Sequence, residues 1–415
     1  MTVAKPVEQP GASEAPRKRS ARSIVAGFEV DTRLLGMVAA LIILWVAFDV
    51  LSGGLFLSAR NLWNLSVQSS AVAILTTGMV LIIVSRNIDL SIGSSLVFLV
   101  MVMGLLQAEW IPAILGAEFD RSFLWIAVVL IGVAVGAVIG GVHGFLIAYV
   151  GIPSFIVTLG GLLIWRGAAF QLARGRTIAP LDSTFQLLGG GPLGSLGETM
   201  SWVVAGLGIA AILYGLVASR RRRQRYGFQL RPVWADLILG AVGVLVVAGA
   251  VAVLNSYPWP PNLAQAYATE HGITIPPGGL IIPTGIAIPV LIALGVIVVM
   301  HVLATRRPFG RHVYSIGGNP EAAELAGINT RRTIMKTFIA MGMLAAIAAA
   351  VIGGTSFAGG IGTITGGVLG AVVMQSLSSG MVLIGVDTAM QDIVVGIVLV
   401  GAVGFDTILR RRAPA

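Results

Sequence analysis

The sequence predicts an all-α fold: a polytopic helical membrane protein of about ten spanning segments in two pseudo-repeated halves, with broken helices at the repeat turns. Three observations predict it. Of the 415 residues 56% are hydrophobic and only 11% charged, where a soluble domain carries about 25% charge. The mean hydropathy is +0.92. The apolar residues fall in runs long enough to cross the hydrocarbon layer, which takes about 20 residues per helix. The net charge of +9 is gathered in basic blocks beside those runs, the positive-inside pattern of a membrane protein. That charge does not point to nucleic acid, because aromatic and basic residues do not interleave as they do on single-strand binders. Cysteine is absent, which excludes a disulfide framework, thiolate chemistry and a Cys-based metal site.

In order along the chain, residues 1–33 are polar, carry Arg17, Lys18, Arg19 and Arg22, and read as a flexible cytoplasmic tail of no specific role. Residues 34–409 read as the membrane domain and 410–415 as a second cytoplasmic tail. The first run, 34–51, is long enough to span and lacks a small-residue cleavage site, so it is a span and not a signal peptide. Residues 55–64 read as interfacial, before a second span at 67–84. SRNIDLSIGS (85–94) then breaks the apolar pattern. It sets Arg86 and Asp89 near membrane depth, where a lone charge is expensive, so they are expected to pair or to face a polar cavity. A third span follows at 91–106, and the acidic loop 109–121 suits the outside face. In the fourth span, 123–150, Gly132, Gly136, Gly140 and Gly144 repeat every four residues on one helix face. That spacing lets a neighbouring backbone come close, and packing is the preferred reading of it. His143 beside this face reads as a hydrogen-bonded packing residue, since no second ligand stands at metal-site spacing.

A fifth span at 155–172 leads to a loop, 173–198, rich in Gly and Pro. The sixth, 201–218, runs into RRRRQR (220–225), the strongest cytoplasmic marker in the chain. The seventh, 235–254, leads to a loop at 256–279 almost free of Lys and Arg, with Tyr257 and Trp259 placed for the outer interface. The eighth, 282–303, returns to a basic side, and the last three runs lie at 334–353, 364–384 and 393–407.

Between the eighth and ninth runs lies a polar, basic island, RRPFGRHVYSIGGNPEAAELAGINTRR (306–332). It holds a short helix with both ends marked. Asn319 is a good N-cap, Pro320 suits the first helical position and Glu321 suits the positive helix end. Gly327 is a left-handed stop. About two turns of helix are marginal in water alone, so this one leans on something. Ala322, Ala323 and Ala326 give it a face that a partner can approach closely.

The pattern FGR…YSIGGN…EAA…AGI in this island resembles the coupling loop of the permease subunits of bacterial sugar ABC transporters, the ribose/xylose/arabinose group. GMVLIIVSRNIDLSIGS (78–94), GIPSFIVTLGGLLIWRGAAF (151–170) and VIGGTSFAGGIGTITGGVLGA (351–371) agree with it in the same order. The extra span and basic loop between Ser201 and Leu254 look most like the xylose-type branch. The resemblance implies a multi-pass protein of the bacterial inner membrane that forms the path for a monosaccharide, a pentose such as xylose first. It implies a cytoplasmic ATPase, a periplasmic sugar-binding protein and a second permease copy as partners. The contact with the ATPase would then fall on Glu321, Ala322, Ala323 and Gly327, with Gly317, Gly318 and Asn319 beside them and Arg311 holding the loop. No G-x-x-x-x-G-K-[ST] loop occurs, so this subunit cannot hydrolyse ATP in the P-loop manner and is not expected to be an enzyme; the resemblance implies no cofactor bound by this chain, with ATP used by the partner subunit.

Residues 71–94 and 346–367 are weak copies of one another, and transporters often place their site between such repeats. Asn87, Asp89, Ser91 and Ser94 in one copy and Thr355 and Ser356 in the other are therefore candidates to line or support the pathway, together with Phe155 and Thr158. Capping of broken helices by the same short polar residues stays open as the alternative. For Asp89 the structural role is preferred, as partner of Arg86 or of helix N-terminal amides. One departure from the family pattern stands out. MKTFIAMGMLAA (335–346) runs straight into IAAAVIGG, where relatives have an outward loop, so about one span plus a connection is missing. Three crossings after an inside loop would leave Arg410, Arg411 and Arg412 outside, against the positive-inside rule. Either one segment does not cross, or the chain is a transport-defective version short of a helix. A secondary transporter driven by an ion gradient is the remaining rival, and it would need carboxylates within the spans, of which Asp89 is almost alone. An intramembrane enzyme would need a pairing such as H-E-x-x-H, which the sequence does not contain.

Overall fold

The computed structural model describes residues 32–116, 123–351 and 363–398. Thr355, Ser356 and the two tails lie outside these residues. Among the described residues the regular structure is helical, with only isolated β-bridges such as Ser195–Ala287. Ten helices are long and apolar enough to cross a membrane. They are α1 (Thr32–Leu51), α2 (Ala59–Val84), α3 (Ile92–Leu115), α4 (Leu124–Val150), α5 (Ser154–Ala173), α7 (Gly197–Arg225), α8 (Val233–Asn255), α10 (Ile288–Arg306), α13 (Thr330–Val351) and α14 (Ile364–Leu383). The short helices are α6 (Ser183–Leu188), α9 (Pro261–His271), α11 (Pro308–Gly318), α12 (Pro320–Leu325) and α15 (Thr388–Val398).

Most boundaries follow from local chemistry. Ser58 caps α2, so the segment expected to lie along the interface is already the first turn of that helix. Asp182 caps α6 and Thr363 caps α14 through their side-chain oxygens. Pro stands in the first turn of α9, α10, α11 and α12, where its missing N–H costs nothing. Three short helices were not expected from sequence: α6, α9 and α11.

Two helices make the centre. In α2 72% of the best apolar window is buried and in α13 61%, against 6% in α1 and 11% in α7. The four-residue glycine pattern of α4 meets α13. A Cβ on Gly136 would strike the carbonyl of Gly342, and one on Gly140 the carbonyl of Phe338. Gly144 lies against the backbone of Met335. Lipid tails are as apolar as leucine, so close backbone packing of this kind holds the helices together. The preferred packing reading of those glycines therefore fits the structure. The α7–α8 hairpin stands at the periphery, pinned by Ser201, whose hydroxyl accepts from the Ile286 amide at 2.9 Å.

Contacts along each pair give the helix directions. Gly132 of α4 meets Met103 of α3, while His143 meets Ser91 at the start of α3, so these two are antiparallel. Alternation holds from α1 through α13. It then fails. Gly367 of α14 packs on Thr76 and Val80 of α2, Gln375 bonds Gln68 at 2.8 Å, and Ser379 bonds Asn61 at 3.1 Å. So α14 runs opposite to α2, as α13 runs opposite to α4. Both α13 and α14 point from the α11 side to the far side. Eleven residues, 352–362, separate them. That is too few for another spanning helix, which takes about 20. The expected departure in crossing number falls in the same part of the chain, where two successive described spans share one direction. The helices flanking 352–362 run the same way, whereas those flanking 85–91 are antiparallel.

α14 ends on the far face, so a crossing by the run that follows it would return the chain to the face that carries α11. A reporter fused after Ala415 is expected on the same side of the membrane as a reporter inserted in the α11–α12 region. Opposite sides in a protease-accessibility assay would refute the orientation of α14.

Candidate coupling surface and the junction beneath it

The island between α10 and α13 folds into a two-helix shelf. Arg307 turns the chain, and Gly310 packs so tightly on the Ala304 backbone that a Cβ would collide with its carbonyl. On α11, Val313 and Ile316 are buried while Arg311, Tyr314 and Ser315 face out. This amphipathic face is why a Gly- and Pro-containing stretch becomes a helix. Gly317 lies against the Val84 carbonyl at the end of α2, with no room for a side chain.

The Asn319 side chain accepts from the Ala322 amide at 3.1 Å and starts α12. Gly327 follows it at φ +80°, the left-handed stop. Only Ala323 of the three alanines is buried; Ala322 and Ala326 are exposed, as is Glu321. Between them Leu325 is 91% exposed, the most solvent-directed large apolar side chain of the described residues. The only signal for it in the sequence is a leucine on a basic, polar segment. The shelf joins α13 through Glu324, which accepts from the Thr330 hydroxyl.

Arg311 does not hold this loop. Its side chain is exposed and makes no hydrogen bond or ion pair among the described residues. Arg86 does that work. Its Nε donates to the Gly317 carbonyl and its Nη2 to the Gly318 carbonyl, both at 2.7 Å. Arg86 is therefore exposed at the end of the bundle, and it does not pair with Asp89. The acceptors are main-chain oxygens 231 and 232 residues away, which no sequence pattern marks.

Asp89 is turned inward, 6% exposed. Its Oδ1 accepts from the Ser91 amide at 2.9 Å and from the Ser91 hydroxyl at 2.6 Å, so it closes a local turn onto Ser91, the residue that precedes α3. Asn87 donates to the Ser85 carbonyl at 3.0 Å, and Ser94 to the Ser91 carbonyl at 2.8 Å. Thr158 is fully buried and donates to the Ser154 carbonyl at 2.8 Å. Ser154 in turn accepts from the Ile88 amide at 3.2 Å. Asn87, Asp89, Ser91, Ser94 and Thr158 thus bond to the backbone and to each other, in one junction of the 85–91 turn, α3 and α5. Phe155 is the exception: it is 52% exposed on the first turn of α5 and stands outside the junction. A separate cavity of about 570 Å³ opens between α2, α8, α10 and α14. Among the described residues, none of those expected in the pathway lines it. Among the described residues no group of His, Asp or Glu is placed to hold a metal ion.

Comparison with known proteins agrees with the four-motif resemblance. Residues 61–233 and 200–358 match the family described as the permease component of branched-chain amino acid transport systems. The xylose transport system permease protein XylH of Escherichia coli is 33% identical, over 92% of this chain and 94% of its own. Its namesake in Haemophilus influenzae is also 33% identical, over 92% and 98%. The fructose import permease protein FrcC of Rhizobium meliloti is 25% identical, over 90% and 85%. No solved structure matches. Matched along most of its length by these permeases, the chain belongs to this family of membrane-spanning transport permeases, in the branch of the xylose-system permeases, and is not an enzyme.

Proposed function

We propose that this chain is the translocating subunit of an ATP-driven importer for a monosaccharide, with xylose or another pentose as the first candidate. The observation that carries this reading is the α11–α12 shelf. It is a capped, outward-facing helix pair on the basic side of the bundle, tied by Arg86 to the end of a central helix. A cytoplasmic ATPase would grip Glu321, Ala322, Leu325 and the Gly327 stop, and would supply all ATP chemistry. A periplasmic sugar-binding protein would deliver solute to the opposite face, two copies of this chain would pair, and the site of action would be a bacterial inner membrane. The near absence of buried carboxylates in the described spans, with Asp89 committed to the turn onto Ser91, speaks against an ion-gradient transporter.

Co-expression with a candidate ATPase and binding protein, followed by uptake of labelled pentoses and hexoses, tests the proposal. ATP-dependent accumulation of one sugar is expected; accumulation that survives ATP depletion and collapses with an ionophore would refute it. Glu321→Lys and Gly327→Val are expected to weaken ATPase co-purification and lower uptake while leaving membrane insertion intact. Unchanged co-purification would remove α12 from the interface. A second reading is favoured by the shared direction of α13 and α14: a permease short of one crossing that assembles but does not transport. It expects normal ATPase association with uptake at background.

A further inference from the structure

Four side chains beneath the shelf form one directional hydrogen-bond chain that nothing above requires for folding any single helix. Trp165 of α5 donates from Nε1 to Nε2 of His143 at 3.2 Å. An indole N–H can only donate, so Nε2 accepts and the neutral ring keeps its hydrogen on Nδ1. Nδ1 faces the Ser91 hydroxyl at 3.4 Å. That hydroxyl donates to Asp89 at 2.6 Å. Ser91, His143 and Asp89 are all buried. Gly161 of α5 leaves the room that the His143 ring occupies, since a Cβ there would collide with the ring and press on Ser91. The chain therefore starts on α5, crosses α4, reaches the first turn of α3 and ends on the 85–91 turn. That turn also carries Arg86, which is bonded to the last residues of α11.

We infer that Trp165, His143, Ser91 and Asp89 are a positioning strut that carries movement of the α11–α12 shelf into α4 and α5. His143 is its pivot. Only an imidazole offers an acceptor and a donor on opposite flanks of one rigid ring, which here joins an indole to a hydroxyl. Simple packing would be served by any side chain of that volume; a strut needs both nitrogens engaged. The inference rests on the importer reading, and its test separates the two.

His143→Leu, Trp165→Phe and the double variant are compared with the unaltered chain in the assembled complex with ATPase and binding protein. The readout is sugar imported per ATP hydrolysed, which a purely structural residue would not move in a complex that still forms. His143→Leu is expected to lower that ratio on the order of tenfold, the scale of a buried hydrogen-bonding group left unpaired. Trp165→Phe should lower it less, and the double variant no further than His143→Leu, because the two act in series. An unchanged ratio in His143→Leu, or additive losses in the double variant, overturns the strut. Absence of ATP-driven import by the unaltered complex overturns the importer reading instead. The strut is then judged on a crosslink. The chain has no cysteine, so Ile88→Cys with Ser154→Cys reports the spacing of the 85–91 turn and α5 without background. Adding His143→Leu should change the oxidation rate of that pair, and equal rates in both backgrounds overturn the strut.

Discussion

Gly140→Leu, and equally Gly342→Leu, is expected to remove most of the folded protein from the membrane. At Gly140 the new Cβ falls on the carbonyl of Phe338; at Gly342 it falls on the carbonyl of Gly136. In both cases the obstacle is main chain, which cannot rotate aside like a side chain. Extra methylenes in a packed core cost about 1–3 kcal/mol when side chains give way. Here two whole helices must separate, and α13 is one of the two central helices. Net stabilities of about 5–15 kcal/mol leave little margin for that. Gly160 and Gly167 on α5 have open space where a Cβ would go, so alanine there is the matched control. Yield and melting temperature in detergent, read by size-exclusion chromatography, decide the matter. A Gly140→Leu protein as abundant and heat-stable as the Gly167→Ala control would mean that α4 and α13 do not pack through this face.

The second large effect is expected at the joint between shelf and bundle. Gly317→Val forces the end of α11 off the Val84 carbonyl, and Arg86→Gly removes both bonds from the 85–91 turn to the shelf. These two changes should lower uptake roughly tenfold or more, since charge-assisted bonds are about twice as strong as neutral ones. Arg86 is exposed, so solvent discounts the contribution of its bonds to stability. It also sits at φ +62°, a left-handed conformation that costs a non-glycine residue about 1–3 kcal/mol. Glycine relieves that strain. Arg86→Gly should therefore melt no lower than the unaltered chain while importing far less sugar, with the ATPase still bound. A parallel loss of stability and uptake would make Arg86 an ordinary structural residue.

These two sites differ in how far the sequence disclosed them. The four-residue glycine repeat of α4 is visible in the chain because a helix places such residues on one face whatever surrounds it. Its partner stretch on α13, around Gly342, carries no comparable repeat and was found only through contact. The caps at Asn319 and Gly327 were legible for the same local reason, and the structure keeps both. By contrast α11 was read as loop, because its helix depends on burying Val313 and Ile316 in the bundle. The polar cluster at Asn87, Asp89, Ser91, Ser94 and Thr158 was legible as a group but not in its role. Whether a hydroxyl faces solute or a neighbouring carbonyl depends on residues such as Ser154 and Ile88, 66 positions apart.

What the sequence determined by itself is whatever depends on residue type and short spacing: the spans, the basic faces, the capped rod of α12 and the absence of phosphate-loop chemistry. The parity of crossings after the basic island was countable too, because each apolar run must traverse the same layer. Only the tertiary structure decided the direction of α14 and what holds the shelf. Helix direction and main-chain acceptors are settled by contacts between distant segments: Gly367 on Thr76 and Val80, Gln375 on Gln68, Arg86 on Gly317 and Gly318. A backbone carbonyl looks the same in every residue, so the choice among them belongs to the packed bundle and not to the letters of the chain.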